Sequence, residues 1–180
     1  MANNQVFGET NYDNIFLNNL SNCKSAYLEE DKLNSFFDFG HGSSVNIMHV
    51  NCRSIKKNFK SLKCLLHGLD ESITAIGISE TWLNSTGDNS FDINGYKFVS
   101  NPRLNRPGGG VGIFVNCCYD FHICSNLTLM KDHIESIFIE IKQQSTRHIV
   151  IGCIYRPPNT DVSLFNSDLT LILDTLEYKH

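Results

Sequence analysis

Residues 73–83 read I-T-A-I-G-I-S-E-T-W-L, an isoleucine-rich run that ends in a carboxylate at Glu80. The run is short and lies between two polar segments, residues 70–72 and 84–87, which favours a buried strand over a helix. Glu80 then follows the carboxyl end of this strand. For the acid taken alone two interpretations stay open, a solvated strand end or turn cap and a functional carboxylate.

The composition of the 180-residue chain is that of a folded domain. Hydrophobic residues make up 41% and aromatic residues 11%, which is enough for a core. The formal net charge of -4 gives no overall attraction to nucleic acid, so contact with a polyanion requires a local basic patch. No apolar run approaches the roughly 20 residues that cross a bilayer, and no secretion signal is found. We expect an intracellular protein, in the nucleus or the cytoplasm, with no membrane partner.

Seven scattered cysteines fit reduced thiols in such a compartment. Cys117 and Cys118 lie close to His122 and Cys124, but a second metal-binding pair is absent. Phe121 and Ile123 alternate with polar residues there. We therefore interpret this segment as a strand and not as a zinc site.

Two regions of the chain differ in amino-acid composition. Residues 1–44 are rich in asparagine and predict a flexible polar leader with a candidate short helix that begins at Ser25. Residues 45–50 predict a strand with apolar residues on both faces, and hence an internal one. Ser54 then opens a helix whose apolar side chains recur at spacings of three and four. With the strand at residues 73–83, this order predicts the start of a layered α/β domain.

The rest of the chain also predicts alternating strands, turns and a final helix. A turn at Asn94-Gly95 precedes a short strand, and residues 108–110 are three glycines that favour entry into a hairpin or sheet edge over a phosphate cradle. Strands are predicted at residues 96–100, 111–115, 133–142 and 148–155, followed by a helix at 162–176. The apolar residues of this helix are predicted to form one buried stripe, which consists of Leu164, Phe165, Leu169, Ile172, Leu173 and Leu176.

Five short motifs occur along the chain, and in their order and spacing they resemble the endonuclease domain of non-LTR (LINE-type) retrotransposons. They are H-V-N-C-R-S-I at 49–55, I-G-I-S-E-T-W-L at 76–83, G-Y at 95–96, R-P-G-G-G-V-G-I-F-V at 106–115 and I-Y-R-P-P-N at 154–159. That domain belongs to the exonuclease/endonuclease/phosphatase superfamily, related to apurinic/apyrimidinic endonucleases. The resemblance implies an α/β, or α+β, sandwich of four layers, two β-sheets flanked by helices, of which residues 45–180 form an incomplete N-terminal portion with the C-terminal half missing.

The resemblance also implies roles for particular residues. Glu80 matches a glutamate that holds magnesium, which favours carboxylate oxygens. Asn51 and Tyr155 match catalytic residues that orient and stabilise the phosphate. Arg53, Arg156 and Asn159 are candidates for auxiliary phosphate or DNA contacts. The partners implied for the complete protein are DNA and a reverse transcriptase domain encoded downstream.

The chain departs from the family pattern after its last predicted helix. The family continues to G-D-F-N and then S-D-H, and neither string occurs here. The aspartate that activates water and the Asp-His pair that polarises the phosphate would therefore be missing. His133, His148 and His180 match no motif, and we expect structural or solvated histidines. We expect a fragment of a magnesium-dependent DNA endonuclease that is inactive, or nearly so, and poorly soluble.

Two alternatives accompany this hypothesis. One is a non-catalytic remnant that binds nucleic acid or a partner through a basic helix face, although an ordinary solvated face is the better explanation of those lysines. Its residues are Arg53, Lys56, Lys57, Lys60 and Lys63. The other keeps the superfamily but takes a phosphorylated lipid or sugar as substrate, against which the E-T-W-L and R-P-G-G-G strings argue.

Overall fold

The computed structural model describes residues 45–67, 73–84, 91–142 and 148–177. All of them belong to the second of two units of the chain, Leu33–His180. The predicted leader at residues 1–44 and His180 lie outside the described residues. Within the described ranges the fold is mixed α/β, with two sheets and two helices, as predicted at this level.

The elements follow the predicted order, with bounds that differ by a few residues. They are β1 (Ile47–Asn51), α1 (Ile55–His67), β2 (Ala75–Ser79), β3 (Tyr96–Asn101), β4 (Val111–Asn116), β5 (Phe121–Ile123), β6 (Glu135–Ile141), β7 (Ile149–Tyr155) and α2 (Val162–Glu177). Ser54 caps α1 as predicted, because its Oγ accepts a hydrogen bond from the Lys57 N–H at 3.4 Å. Neither helix is long and apolar enough to cross a membrane.

The first sheet has the strand order β1-β2-β4-β3, and the second has the order β5-β6-β7. β1 pairs with β2 in parallel, and the remaining pairs are antiparallel. The prediction of an internal β1 is wrong: among the described strands it lies at a sheet edge, with Ile47 and His49 exposed. The prediction rested on apolar residues on both faces of β1, but the face that carries Ile47 and His49 is largely uncovered in the structure.

Three apolar clusters show that the elements stack as helix, sheet, sheet, helix. One cluster joins α1 to the outer face of the first sheet through Ile55, Leu62 and Ile76. A second fills the space between the sheets, and a third joins the second sheet to α2 through Phe138 and Ile172. The predicted apolar stripe of α2 is partly wrong. Leu164 and Leu173 are each 53% exposed, since they flank the buried line of this helix.

A buried carboxylate ties the second sheet to the β3–β4 hairpin. Glu135, at the start of β6, has no exposed surface and accepts a hydrogen bond from the Gly110 N–H at 2.5 Å. Its other oxygen pairs with the Arg103 guanidinium. Gly108, Gly109 and Gly110 all have positive φ, and a Cβ on Gly109 would overlap that guanidinium. The three glycines therefore serve the hairpin, as predicted, by letting an arginine reach Glu135.

We predict that Arg103→Met lowers the free energy of unfolding by about 3–5 kcal/mol, because it leaves the Glu135 carboxylate buried without its cation. Arg106→Met is the matched control, since Arg106 pairs with the 92% exposed carboxylate of Asp132, and it should cost no more than about 1 kcal/mol. Urea unfolding at neutral pH measures both. Equal losses in the two variants would contradict the structural role given to Glu135.

Candidate active site

Asn51 and Glu80 meet because β1 and β2 run in parallel. Asn51 pairs in register with Ser79, so the residue after β2 lies beside the end of β1. The Asn51 Nδ2 donates a hydrogen bond to Glu80 Oε1 at 2.9 Å. The strand that ends in an acid, read from the sequence, therefore places that acid directly against the predicted asparagine.

Tyr155 reaches the same carboxylate from the other sheet. Its phenol O–H donates to Glu80 Oε1 at 3.1 Å. Two positions earlier on β7, Cys153 packs against Gly77 of β2, where an added Cβ would already lie 3.4 Å from the sulfur. The Cys153 thiol also donates to the Ile78 carbonyl at 3.5 Å. Gly77 thus permits the close approach of the sheets that brings Tyr155 to Glu80.

The backbone after β2 is held from both sides. On one side the N–H groups of Ser54 and Ile55 donate to the carbonyls of Glu80 and Thr81, at 2.9 and 3.0 Å. On the other side Trp82 N–H donates to the Gly109 carbonyl at 2.8 Å. These bonds restrain the main chain from which the Glu80 side chain extends.

Residues around Glu80 adopt a left-handed backbone conformation that side chains normally avoid. Glu80 has φ 55° and Trp82 has φ 54°, and Arg53 and Ser54 in the facing turn are also positive, at 42° and 85°. Each such residue costs on the order of 1–3 kcal/mol, and such strain concentrates at functional sites. The strain is tolerated here because the neighbouring main chains fix the turn.

The Glu80 carboxyl group has a lowered pKa. The Asn51 hydrogen bond is the largest cause, while partial burial acts in the opposite direction. Hydrogen bonds from Tyr155 and from the Trp82 side chain, and the charge of Arg53, lower the pKa further. The group is therefore a carboxylate at neutral pH.

The Tyr155 phenol has a raised pKa. Burial is the main cause, and the hydrogen bond to the Glu80 carboxylate adds to it. The phenol consequently keeps its proton at neutral pH and acts as a hydrogen-bond donor. A protonated donor beside an ionised acid is suited to contact a phosphate oxygen near a metal ion.

The three candidates for auxiliary phosphate or DNA contacts, Arg53, Arg156 and Asn159, differ in their contacts with Glu80 and Asn51. Arg53 belongs to it, because its N–H donates to Asn51 Oδ1 at 3.3 Å and its charge acts on Glu80. Arg156 is exposed and donates to the Thr160 carbonyl at 3.4 Å, within its own loop. Asn159 is exposed in the same turn with φ 61°. Only Arg53 is thus connected to Glu80.

Two of the three histidines left outside the motifs can be located. His133 pairs with the Asp168 carboxylate of α2 at 2.7 Å, which fits a structural role. His148 pairs with Glu140 at 2.5 Å. The described contacts connect neither residue to Glu80.

Sequence reasoning missed Trp82 and Glu135. Trp82 is 47% exposed although its side chain hydrogen-bonds to Glu80, so it presents an aromatic surface at the site. Its position directly after Glu80-Thr81 was a signal, because a large aromatic residue beside a polar strand end has little to pack against. Glu135 gave no signal, since it interrupts an apolar strand like any solvent-facing residue.

The ligand chemistry at Glu80 is of the kind that magnesium prefers. Glu80 supplies a hard, ionised oxygen donor, and Asn51 orients it by donating from Nδ2 to Oε1. Glu80 belongs to no group of three or more His, Cys, Asp and Glu side chains within the described ranges. One carboxylate can hold magnesium when substrate phosphates complete the shell. The ion would supply Lewis acidity toward a phosphate oxygen.

No protein-family model matches the sequence, and no match was found among curated proteins. The chemistry of this site must therefore be argued from its own residues.

We predict that Asn51→Ala raises the pKa of Glu80 toward its ordinary value, because the variant removes the largest stabilising hydrogen bond. The lowered pKa stabilises the fold above the unfolded-state pKa, and this contribution disappears as pH falls through the folded-state pKa. NMR titration of the Glu80 carboxyl carbon measures the shift. Tyr155→Phe should raise the pKa less, and an unchanged pKa in Asn51→Ala would contradict the ranking.

Proposed function

We propose that this chain carries the Glu80 half of a magnesium-dependent site that nicks DNA by phosphodiester hydrolysis. In this proposal the chain is the N-terminal part of an endonuclease/exonuclease/phosphatase fold similar to the endonuclease domain of non-LTR retrotransposons. The stacking of helix, sheet, sheet and helix is compatible with that fold.

One observation carries the proposal: Glu80 Oε1 accepts hydrogen bonds from both Asn51 and Tyr155. The two donors come from strands of different sheets and are distant in sequence. Resemblance alone had grouped these residues in one site. Their convergence on one carboxylate oxygen supports the proposal that the three residues act in one site.

Each residue then has a distinct task. Glu80 holds the metal ion, since its lowered pKa keeps it ionised. Tyr155 keeps its proton. Its single O–H donates to Glu80 Oε1 in this structure and would turn to a phosphate oxygen when DNA binds, where such donors are worth about 3 kcal/mol in a transition state. Asn51 fixes the carboxylate through Nδ2. Trp82 offers an exposed ring on which a nucleotide base can stack.

The described contacts of the Glu80 carboxylate include no side chain suited to act as a general base. Within these ranges, the side chains bonded to the Glu80 carboxylate are Asn51, Tyr155 and Trp82, and none of them is an acid or a histidine. A missing general base typically lowers a rate by about a hundred- to ten-thousand-fold. We therefore propose that residues 1–180 alone bind metal at Glu80 but hydrolyse DNA poorly.

The exposed inner face of β1 agrees with the proposal that this chain carries only part of the active site. Ile47 is 53% exposed and His49 is also exposed, on the face of β1 that continues the Gly77 face of β2. β7 packs opposite β2, and among the described strands β7 ends its sheet. A further strand beside β7 would cover this face and bring additional side chains toward Glu80.

The alternative, a non-catalytic nucleic-acid-binding remnant, rests on the exposure of Lys56, Lys57, Lys60 and Lys63 along α1. This basic face begins next to Arg53, beside the Glu80 site. Nonspecific affinity for DNA requires several simultaneous phosphate contacts. Whether this face supplies them is a question separate from catalysis.

The test uses supercoiled plasmid and compares the 180-residue chain with Glu80→Gln. With magnesium, nicking should stay at the level of the variant, because no acid or histidine among the described residues is bonded to Glu80 to act as a general base. With Fe²⁺, ascorbate and peroxide in place of magnesium, radical strand breaks need only a bound ion near DNA. We expect several-fold more breaks with the unaltered chain than with Glu80→Gln.

Three outcomes decide between the hypotheses. Magnesium-dependent nicking that Glu80→Gln abolishes would contradict the inactivity of this chain while supporting the site. Iron-driven breaks equal in both proteins would contradict metal binding at Glu80. Salt-sensitive DNA binding that disappears when the four α1 lysines become glutamine, but not in Lys97→Gln/Lys142→Gln, would favour the alternative.

A further inference from the structure

A second group of metal-ligating side chains lies on the outer face of the second sheet. β5 pairs antiparallel with β6, and His122 is directly opposite Glu140. Cys124 extends the ladder by one residue, because its N–H donates to the Phe138 carbonyl at 2.8 Å. Since side chains alternate along a strand, His122 and Cys124 share a face with Glu140. The pairing of the two strands thus brings three different ligand types together.

The ligand atoms are close enough for one ion. One nitrogen of His122, the sulfur of Cys124 and one carboxylate oxygen of Glu140 all lie within 4.8 Å of one another. His122 Nε2 is 3.2 Å from Glu140 Oε2. Tetrahedral zinc, with bonds of about 2.0 Å to nitrogen or oxygen and about 2.3 Å to sulfur, separates its ligands by roughly 3.3–3.7 Å. The His122–Glu140 separation already suits it, and the sulfur requires only a small movement.

His148 holds the carboxylate from its other side. Its Nδ1 lies 2.5 Å from Glu140 Oε1, the oxygen that does not face His122. Hydrogen bonds of this kind orient metal-binding carboxylates. Cross-strand attraction between His122 and Glu140 would explain that pair alone. It does not explain a thiol at the same place or a second histidine on the remaining oxygen.

We propose that His122, Cys124 and Glu140 form a binding site for a divalent transition-metal ion of the zinc class, with His148 as a positioning residue. Thiolate and imidazole favour zinc over magnesium, which prefers oxygen ligands alone. His122 has a side chain that is 51% exposed, so the ion can enter from solvent and keep a fourth position open. Cys117 and Cys118 are not part of this group. The sequence interpretation of a strand without a zinc site considered His122 and Cys124 but not Glu140, which lies on the neighbouring strand.

This site is distinct from the Glu80 site. β6 pairs Glu135 with Tyr155 at one end and Ile141 with Ile149 at the other. Glu140 therefore lies at the end of the sheet opposite to Tyr155, and its side chain points away from the space between the sheets that Ile139 and Ile141 fill. The zinc proposal does not rest on the proposed nuclease function. An ion here would link β5 to β6 and stabilise the sheet.

The test is a titration of the reduced, metal-free 180-residue chain with Co²⁺, followed by displacement with Zn²⁺. We expect one equivalent to produce a thiolate-to-cobalt absorption band that zinc removes. Cys124→Ser should abolish the band, and His122→Ala and Glu140→Gln should weaken binding at least about tenfold. His148→Ala should weaken binding roughly ten- to a hundredfold, as expected for a residue that orients a ligand. Acid should also weaken binding, because protons compete for the thiolate and imidazole.

Controls separate this site from other thiols and from Glu80. Cys118→Ser changes an exposed cysteine outside the triad and should leave the band intact. Glu80→Gln should also leave it intact. No band in the unaltered chain, a band that survives Cys124→Ser, or an unchanged cobalt affinity in His122→Ala would overturn the proposal. His122→Ala replaces an exposed side chain, so weaker cobalt binding there with an unchanged circular dichroism spectrum cannot be attributed to unfolding.

Discussion

The buried Glu135 carboxylate organises the part of the molecule on which the Glu80 site depends. It belongs to the second sheet, yet its partners, Arg103 and the Gly110 N–H, belong to the hairpin of the first sheet. The adjacent Gly109 carbonyl in turn accepts the Trp82 N–H. A charge without exposed surface must be paired, so the geometry of the hairpin is fixed by electrostatics as well as by packing. The strained turn at Glu80 rests on that hairpin.

The site itself joins the two sheets for a different reason. Asn51 arrives through parallel pairing of β1 with β2, and Tyr155 arrives through the packing of Cys153 on Gly77. A shift of β7 by one residue would turn Tyr155 away from Glu80, because side chains alternate along a strand. The hydrogen bonds at Glu80 are therefore a consequence of register in both sheets. The lowered pKa of the acid follows from those bonds.

The sequence was informative where a local pattern decides structure. Alternation and helical spacing predicted every described strand and both helices, and the motifs brought Asn51, Glu80 and Tyr155 into one hypothesis. It failed where distant pairing decides: the edge position of β1 and the exposure of Leu164 depend on which elements cover them. Glu135 was missed, and Glu140 was not considered beside His122 and Cys124, because only strand pairing reveals their partners.

The central claim is that Glu80 holds a hard divalent ion with the help of Asn51 and Tyr155. Mn²⁺ has the ligand preferences of magnesium and broadens the NMR signals of nearby nuclei. Titrating the isotope-labelled chain with Mn²⁺ should selectively broaden the signals of Asn51, Glu80, Trp82 and Tyr155, and Glu80→Gln should remove that effect. Broadening that persists unchanged in Glu80→Gln, or that centres on Glu140 instead, would contradict the claim.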